Sequence, residues 1–269
     1  MRETGTVTEL RRYPVKSMLG EDLEQVALTA SGLEGDRVVA VIDRQTGNVA
    51  TAKHPKLWRG LLAFAAEWNG GSPCVTCPDG RSVSVDDTAA EQLLSEFLDR
   101  DVQLSTIRPE RATMARPDPE DVIEAGDEAD VPYEMLELGQ GSPGTTFVDY
   151  APVHLITSAT LAHVGAEMVR YRPNLVVDTP GLAAYAENEW TGREISIGSV
   201  RLRVVLPTPR CAVPTLSHGA LPRNTEAVRK LLNENRIPVP DFGVRPCLGV
   251  YAQVMNEGLI SLGDRASLT

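Results

Sequence analysis

Val204-Val205-Leu206-Pro207-Thr208-Pro209-Arg210-Cys211 closes an alternating run that begins at Val200. Val200, Leu202 and Val204 share one face of that run and Arg201 and Arg203 the other, the period-two pattern of a half-buried strand. Proline cannot donate to a ladder, so two prolines in three residues take the chain out of its sheet. Arg210 and Cys211 are what it presents on leaving. A thiolate is both a nucleophile and a soft metal ligand, and a neighbouring guanidinium favours the S⁻ form over the thiol. A lone cysteine is otherwise a small buried apolar residue. Which of the two Cys211 is depends on what else the chain brings to that strand end.

Working outward, Glu194 to Ile197 and the Gly198-Ser199 pair complete a hairpin with a two-residue II′ turn. Gly249 to Val254 and Leu259 to Leu262 read as closing strands. Upstream, Thr6 to Leu10, Gln25 to Leu28 and Val38 to Ile42 are rich in β-branched and aliphatic residues, and Val49 to Ala52 follows a Gly47-Asn48 turn as a hairpin partner. His154 to Thr157 reads as a strand with Ser158 capping a helix, and Leu175 to Val177 as a short buried strand. Three helices are marked by their apolar faces. The first opens at Thr88 with Glu91 in a capping box and runs through Phe97 and Leu98. The second carries Leu161, Val164 and Met168, and the third spans Asn224 to Asn235. Residues 108 to 146, scattered with proline, glycine and acid, read as a long surface crossing and a domain junction. Strands outnumber helices and do not alternate with them, so a doubly wound nucleotide fold is not expected. The pattern predicts an α+β, predominantly β chain in which a curled, barrel-like sheet carries peripheral helices.

The composition is that of an ordinary globular chain, 42% hydrophobic and 23% charged, long enough at 269 residues for one large or two modest domains. A net charge of -11 argues against nucleic-acid binding, which rests on phosphate neutralisation, but permits a local basic pocket. No apolar leader or membrane-length run is present, so no membrane partner is expected and the chain reads as soluble and cytoplasmic. Four cysteines suit a reducing compartment. The Cys74-Val75-Thr76-Cys77 pair lies in a β-like run without the further ligands of a zinc site or the helix of a redox motif.

Five short segments occur in order: Tyr13-Pro14-Val15-Lys16-Ser17, Gly32-Leu33-Glu34-Gly35-Asp36-Arg37, Arg172-Pro173-Asn174, Pro209-Arg210-Cys211 and Gly263-Asp264. Each is weak alone. Together they resemble the molybdenum cofactor sulfurase C-terminal (MOSC) family in the form with an N-terminal β-barrel, and within it the amidoxime-reducing branch. The resemblance implies a MOSC-type β-barrel with peripheral helices over 109–269, its barrel admitting N-terminal strands, and an N-terminal MOSC-associated β-rich domain over 1–108. It implies a molybdopterin-type molybdenum cofactor whose metal is ligated by Cys211, with Arg210 helping to keep that thiolate. Lys16, Arg37 and Arg172 match family positions at the cofactor phosphate, Asn174 is placed to hydrogen-bond its polar edge, and Thr157 and Ser158 match a hydroxyl-bearing stretch near it. Many relatives carry a second cysteine where this chain has Thr208.

The activity implied is reduction of N-hydroxylated compounds, hydroxylamines and amidoximes, to amines. Some bacterial relatives add a ferredoxin-like domain with four clustered cysteines. Without it, electrons are expected from a separate flavin, haem or iron–sulfur protein. The alternative is a carrier that holds the cofactor, or sulfur as a Cys211 persulfide, without turnover. Asp149, Asp178 and Glu187 are acid–base candidates only through their nearness to these segments, and His154 and His163 read as structural.

Overall fold

The computed structural model describes residues 2–269. Its centre is a closed barrel of seven strands: β1 (Arg2–Arg12), β2 (Val153–Thr157), β3 (Leu175–Asp178), β4 (Glu194–Ile197), β5 (Val200–Pro209), β6 (Gly243–Asn256) and β7 (Arg265–Leu268). Around the ring the order is β2-β3-β1-β7-β4-β5-β6, and β6 pairs back onto β2. Only the β2–β3 pair is parallel. Closure removes the edges that an open sheet would expose. Alternation fills the barrel: Leu10, Leu155, Val177, Ile195, Leu202 and Val250 belong to one buried cluster. Arg201 and Arg203 point outward from β5 to Glu194. Gly198 takes φ 55° in the β4–β5 turn, as the Gly-Ser pair requires.

β1 enters the barrel between β3 and β7 although it opens the chain. A second apolar cluster, including Val39, Val41, Phe64, Val75 and Leu94, lies outside the barrel. It gathers the meander 65–84 and helix α1 (Ala90–Leu98). Cys74 lies on the meander's middle strand and Cys77 just beyond its end. Helix α2 (Ser158–Val164) follows β2, and helix α3 (Glu226–Glu234) buries Ala227, Val228 and Leu231.

Several local expectations shift. Strand Ala40–Asp43 pairs with Val102–Ser105, while Val49 makes only an isolated bridge to Ile42. α1 begins at Ala90 without a side-chain cap, because Glu91 accepts from Leu104 N at 2.9 Å instead of folding back on Thr88. α2 is capped by Thr157, whose hydroxyl accepts from Thr160 N at 3.2 Å, one residue before the expected Ser158. The segment 108–146 is not a bare crossing. Thr113–Pro117 pairs with Tyr133–Glu137 around a short helix, Pro119–Ala125, and Met114 and Leu138 are buried. The string Gly139-Gln140-Gly141-Ser142-Pro143-Gly144 has the glycine spacing of a dinucleotide fingerprint. It follows an antiparallel hairpin and opens no helix, so it is a loop without the phosphate-binding context.

Candidate active site

The barrel pairings place one set of strand ends together. β1 is antiparallel to β3, with Leu10 opposite Leu175, and β2 runs parallel to β3. β5 is antiparallel to β6, and β6 to β2. The exit of β1 and the entries of β2 and β3 therefore share one end of the barrel, while β5 leaves at the other. The two meet on the outer wall of β2 and β6, where His154 and Tyr251 alternate with the core residues Val153, Leu155, Val250 and Ala252. The segments 13–17, 147–151, 171–174 and 209–211 all bring residues to that place.

The loop 32–37 is knitted to it by backbone bonds. Lys16 N donates to Val39 O at 2.9 Å, Arg37 N to Tyr13 O at 2.8 Å and Phe147 N to Arg37 O at 2.7 Å. The Asp36 carboxylate accepts from Tyr13 N at 2.8 Å and pairs with Arg37.

A cleft of about 620 Å³, its open mouth included, lies where these loops meet. Lys16, Arg37, Arg172, Asn174, Arg210 and Cys211 all line it. Cys211 is buried, two residues past the end of β5. Arg37 and Arg172 approach the Tyr13 ring, with guanidinium carbons 4.9 and 4.3 Å from its centroid. Cation–π attraction of this kind holds two like charges near one another. Both arginines sit in the left-handed region, at φ 51° and 54°. Such strain persists where surrounding contacts over-determine the backbone. Here the contacts are Arg37 Nη2 to Arg172 O at 3.2 Å and Arg172 Nη1 to Met18 O at 2.5 Å.

Asn174 works from behind. Its Oδ1 accepts from His154 N at 3.1 Å and Arg37 Nη1 at 3.3 Å, and its Nδ2 donates to Arg11 O at 3.3 Å. Arg210 donates from Nη2 to Tyr171 O at 2.9 Å, and its Nη1 lies 3.4 Å from His154 Nε2. Its hydrogen bonds thus fix Tyr171 and His154. Burial and then the Arg210 charge hold the His154 imidazole well below its ordinary range, so it is neutral at neutral pH.

The sequence reading did not single out Lys53, and it named Asp149 only as an acid–base candidate. Lys53 is the fifth cation of the cleft, and Asp149 is its one carboxylate. Asp149 stands between two lysines, 2.5 Å from Lys16 Nζ and 2.9 Å from Lys53 Nζ. Burial would raise this carboxyl, but the two ammonium groups outweigh it and hold it well below the usual carboxylate range. Burial pulls Lys16 down to about 8 against the opposing effect of Asp149. Burial, reinforced by Arg37, brings Arg172 down to about 10. Nothing in the spacing of Thr51-Ala52-Lys53 marks it as a site, because the loop reaches the cleft only through tertiary contacts. His154, read as structural, also lines the cleft.

Thr157 and Ser158 are not brought to the cleft. Thr157 Oγ1 donates to Glu187 Oε2 at 2.9 Å, and Ser158 Oγ donates to Asp178 Oδ1 at 2.7 Å. These contacts lock the start of α2 to neighbouring segments. They also occupy Asp178 and Glu187, neither of which lines the cleft. His163 is on the surface, 2.6 Å from Glu234.

Five cations against one carboxylate leave the cleft positively charged in a chain of net charge -11. Arg172 Nη2 and Arg210 Nε are buried without a hydrogen-bond partner. Buried donors in that state carry a desolvation cost that an acceptor would remove. Among the described residues no group of three or more His, Cys, Asp or Glu side chains could hold a metal ion. A metal at Cys211 would therefore bring most of its ligands with it. No helix among the described residues is long and apolar enough to cross a membrane.

Comparison with known proteins gives two family matches. The model of the MOSC N-terminal beta barrel domain matches residues 4–112, and that of the MOSC domain matches residues 143–267. The chain is similar to human mitochondrial amidoxime-reducing component 1, at 26% identity over 98% of this chain and 83% of the relative. It is also similar to bovine mitochondrial amidoxime reducing component 2, at 25% identity over the same shares. Among solved structures, the YUAD protein from Bacillus subtilis aligns over 100% of this chain and 97% of its own, with 11% identity and a TM-score of 0.45.

Proposed function

The chain belongs to the MOSC domain family in the form that carries the MOSC N-terminal beta barrel domain, and from that premise we propose that it is a molybdenum-cofactor-binding oxidoreductase that reduces N-hydroxylated compounds to amines. The observation that carries the reading is the meeting of a buried cysteine with five cations in one cleft against the barrel wall. The residues fit the group. Cys211 would supply the protein's sulfur ligand. Lys16, Lys53, Arg37 and Arg172 would face its phosphate, the arginines as forked donors and the lysines as point charges. The unpartnered Arg172 Nη2 and Arg210 Nε would be satisfied by the same anion. When bound, the cofactor supplies two-electron redox chemistry that no side chain can.

The protein's own part is binding and orientation. Asp149 holds Lys16 and Lys53 apart in fixed positions. Tyr13 and Asn174 hold the two arginines. For a hydroxylamine, R–NHOH plus two electrons and two protons gives R–NH₂ and water. The N–O bond breaks, nitrogen is reduced, and the oxygen leaves as water. The electrons come from a separate flavin, haem or iron–sulfur protein, since the glycine string at 139–144 lacks the strand–helix setting of a nicotinamide site.

Purified protein from a cofactor-competent host tests this directly. It is expected to reduce hydroxylamine with reduced viologen and to be inactive with NADH alone. Bound molybdenum without viologen-driven turnover would contradict the reductase reading and identify a carrier. Sustained turnover with NADH alone would contradict the separate donor.

A further inference from the structure

A cavity of about 420 Å³, its mouth included, borders the cleft across Thr51, the one residue that lines both. Trp58 closes its inner end and is buried. Tyr133 and Met135, on one face of their strand in the 113–137 hairpin, are 52% and 45% exposed and form its rim. The walls are therefore largely apolar, with a few polar groups set among them.

Asp43 is the only charged side chain in that wall. It is 4% exposed, and among the described residues no cation pairs with it. Its carboxylate accepts from two neutral donors, Gln45 N at 3.0 Å on Oδ1 and Thr46 Oγ1 at 3.1 Å on Oδ2. Each oxygen keeps a lone pair for a further donor. A carboxylate withdrawn from water without a counter-charge is costly, and a bound cation would remove that cost. His54 lines the same wall, buried, and its Nδ1 has no hydrogen-bond partner. Burial lowers the pKa of this imidazole, so the ring is neutral at pH 7 and brings no positive charge. It meets the Tyr133 ring edge to face, with centroids 4.9 Å apart. The cations outside the wall are engaged elsewhere. Lys56 pairs with Asp130 at 2.9 Å, and Arg100 lies over the Trp58 ring, 5.2 Å from its centroid.

We propose that this cavity binds a small primary alkylammonium, its nitrogen on the Asp43 carboxylate and its chain against Trp58 and Tyr133. An ammonium carries three donors, enough for Asp43 and for His54 Nδ1 when the imidazole proton is on Nε2. The aromatic walls suit both the apolar chain and the charge, since a ring face attracts a cation. The neighbouring cleft, with five cations, has the opposite preference, so charge alone sorts ligands between the two. The inference stands apart from the reductase reading, because neither Cys211 nor those cations take part in it.

Butylammonium and 1-butanol differ only at the polar end and are the probes, titrated into the purified protein by ligand-observed NMR. Neither has an N–O bond, so turnover does not enter. Butylammonium should bind saturably and about ten times more tightly than 1-butanol. Asp43→Asn keeps the shape of the side chain without its charge. It should weaken butylammonium by about ten- to a hundredfold and leave 1-butanol unchanged. Asp43 also ties the 43–46 turn, so the circular dichroism spectrum of that variant is recorded alongside. Met135→Lys, at the exposed rim, sets a positive charge at the mouth and should weaken butylammonium alone. Absence of saturable butylammonium binding, or equal affinity of the wild type for the two probes, would overturn the proposal. So would wild-type butylammonium affinity in folded Asp43→Asn, or in Met135→Lys if Asp43→Asn does not fold.

Discussion

Lys16 and Lys53 grip opposite oxygens of Asp149, and the three side chains form one charged unit at the cleft wall. Lys16 carries a testable consequence. Its folded pKa of about 8 lies below the ordinary 10.5, so folding disfavours its charged form. That cost is complete below pH 8 and fades as pH rises toward 10.5. Anion binding has the opposite need, because the ammonium is what attracts the ligand. Sulfate keeps its charge across this range and is the suitable probe. Its affinity for cofactor-free protein should hold to about pH 8 and then weaken by up to tenfold per unit. Lys16→Met should bind more weakly and flatten the profile, and a flat wild-type profile would contradict the assignment. Arg172 contributes differently, as a fork with one buried free nitrogen. A hydrogen bond to a charged group contributes about 1.5–3 kcal/mol. Arg172→Ala should therefore loosen the cofactor by about ten- to a hundredfold in a retention assay. That Lys16, Arg37, Arg172 and Cys211 meet in one cleft was legible because each sits in a short segment of recognisable order. Lys53 was not, since its loop gains meaning only when folded against 147–151. Thr157 and Ser158 do not line the cleft, and the sequence could not show it, because a hydroxyl at a strand–helix junction serves a cap and an anion equally well. Only the neighbouring Glu187 and Asp178 decide between them.

Elements with strong alternation were read almost at their true bounds. β5 is the clearest, with its buried and exposed residues in strict succession from Val200 to Val204. β1 was seen only at Thr6 to Leu10, and its partners lie far along the chain at 175–178 and 265–268. Pairing at that separation leaves no local trace. The 113–137 hairpin hid for a different reason, its prolines, since Pro117 closes one strand and Pro119 opens a helix. Gly249 shows how tightly the strands close beside the site. It lies on β6 at φ 75°, and a Cβ there would come within 2.6 Å of Leu155 O and 2.8 Å of His154 Nε2. Gly249→Ala has both a left-handed backbone and an overpacked ladder to accommodate, a cost of about 2–5 kcal/mol. In urea the unfolding midpoint should fall with little change in slope. A midpoint equal to the wild type would show that β6 can shift where its register suggests it cannot.

At the scale of the whole molecule, the barrel turns sequence distance into proximity. Its closure by β1 carries the 13–17 loop to the same end as 171–174, 209–211 reaches the same cleft from the far end of β5, and the 32–37 loop follows through its bonds to Tyr13 and Phe147. An acidic chain thereby concentrates positive charge in one place without altering its surface elsewhere. The predominantly β class and the barrel were legible from the count and spacing of strands. The order of strands around the barrel was not, because antiparallel pairs of such separation follow from packing alone. The central claim is that this convergence exists to hold a molybdenum cofactor through Cys211. Metal analysis of wild-type protein and Cys211→Ala, both purified from a cofactor-competent host, tests it most directly. Wild-type protein should retain close to one molybdenum per chain, and Cys211→Ala should lose it while keeping the wild-type circular dichroism spectrum. Full molybdenum retention by the folded Cys211→Ala protein would contradict the claim.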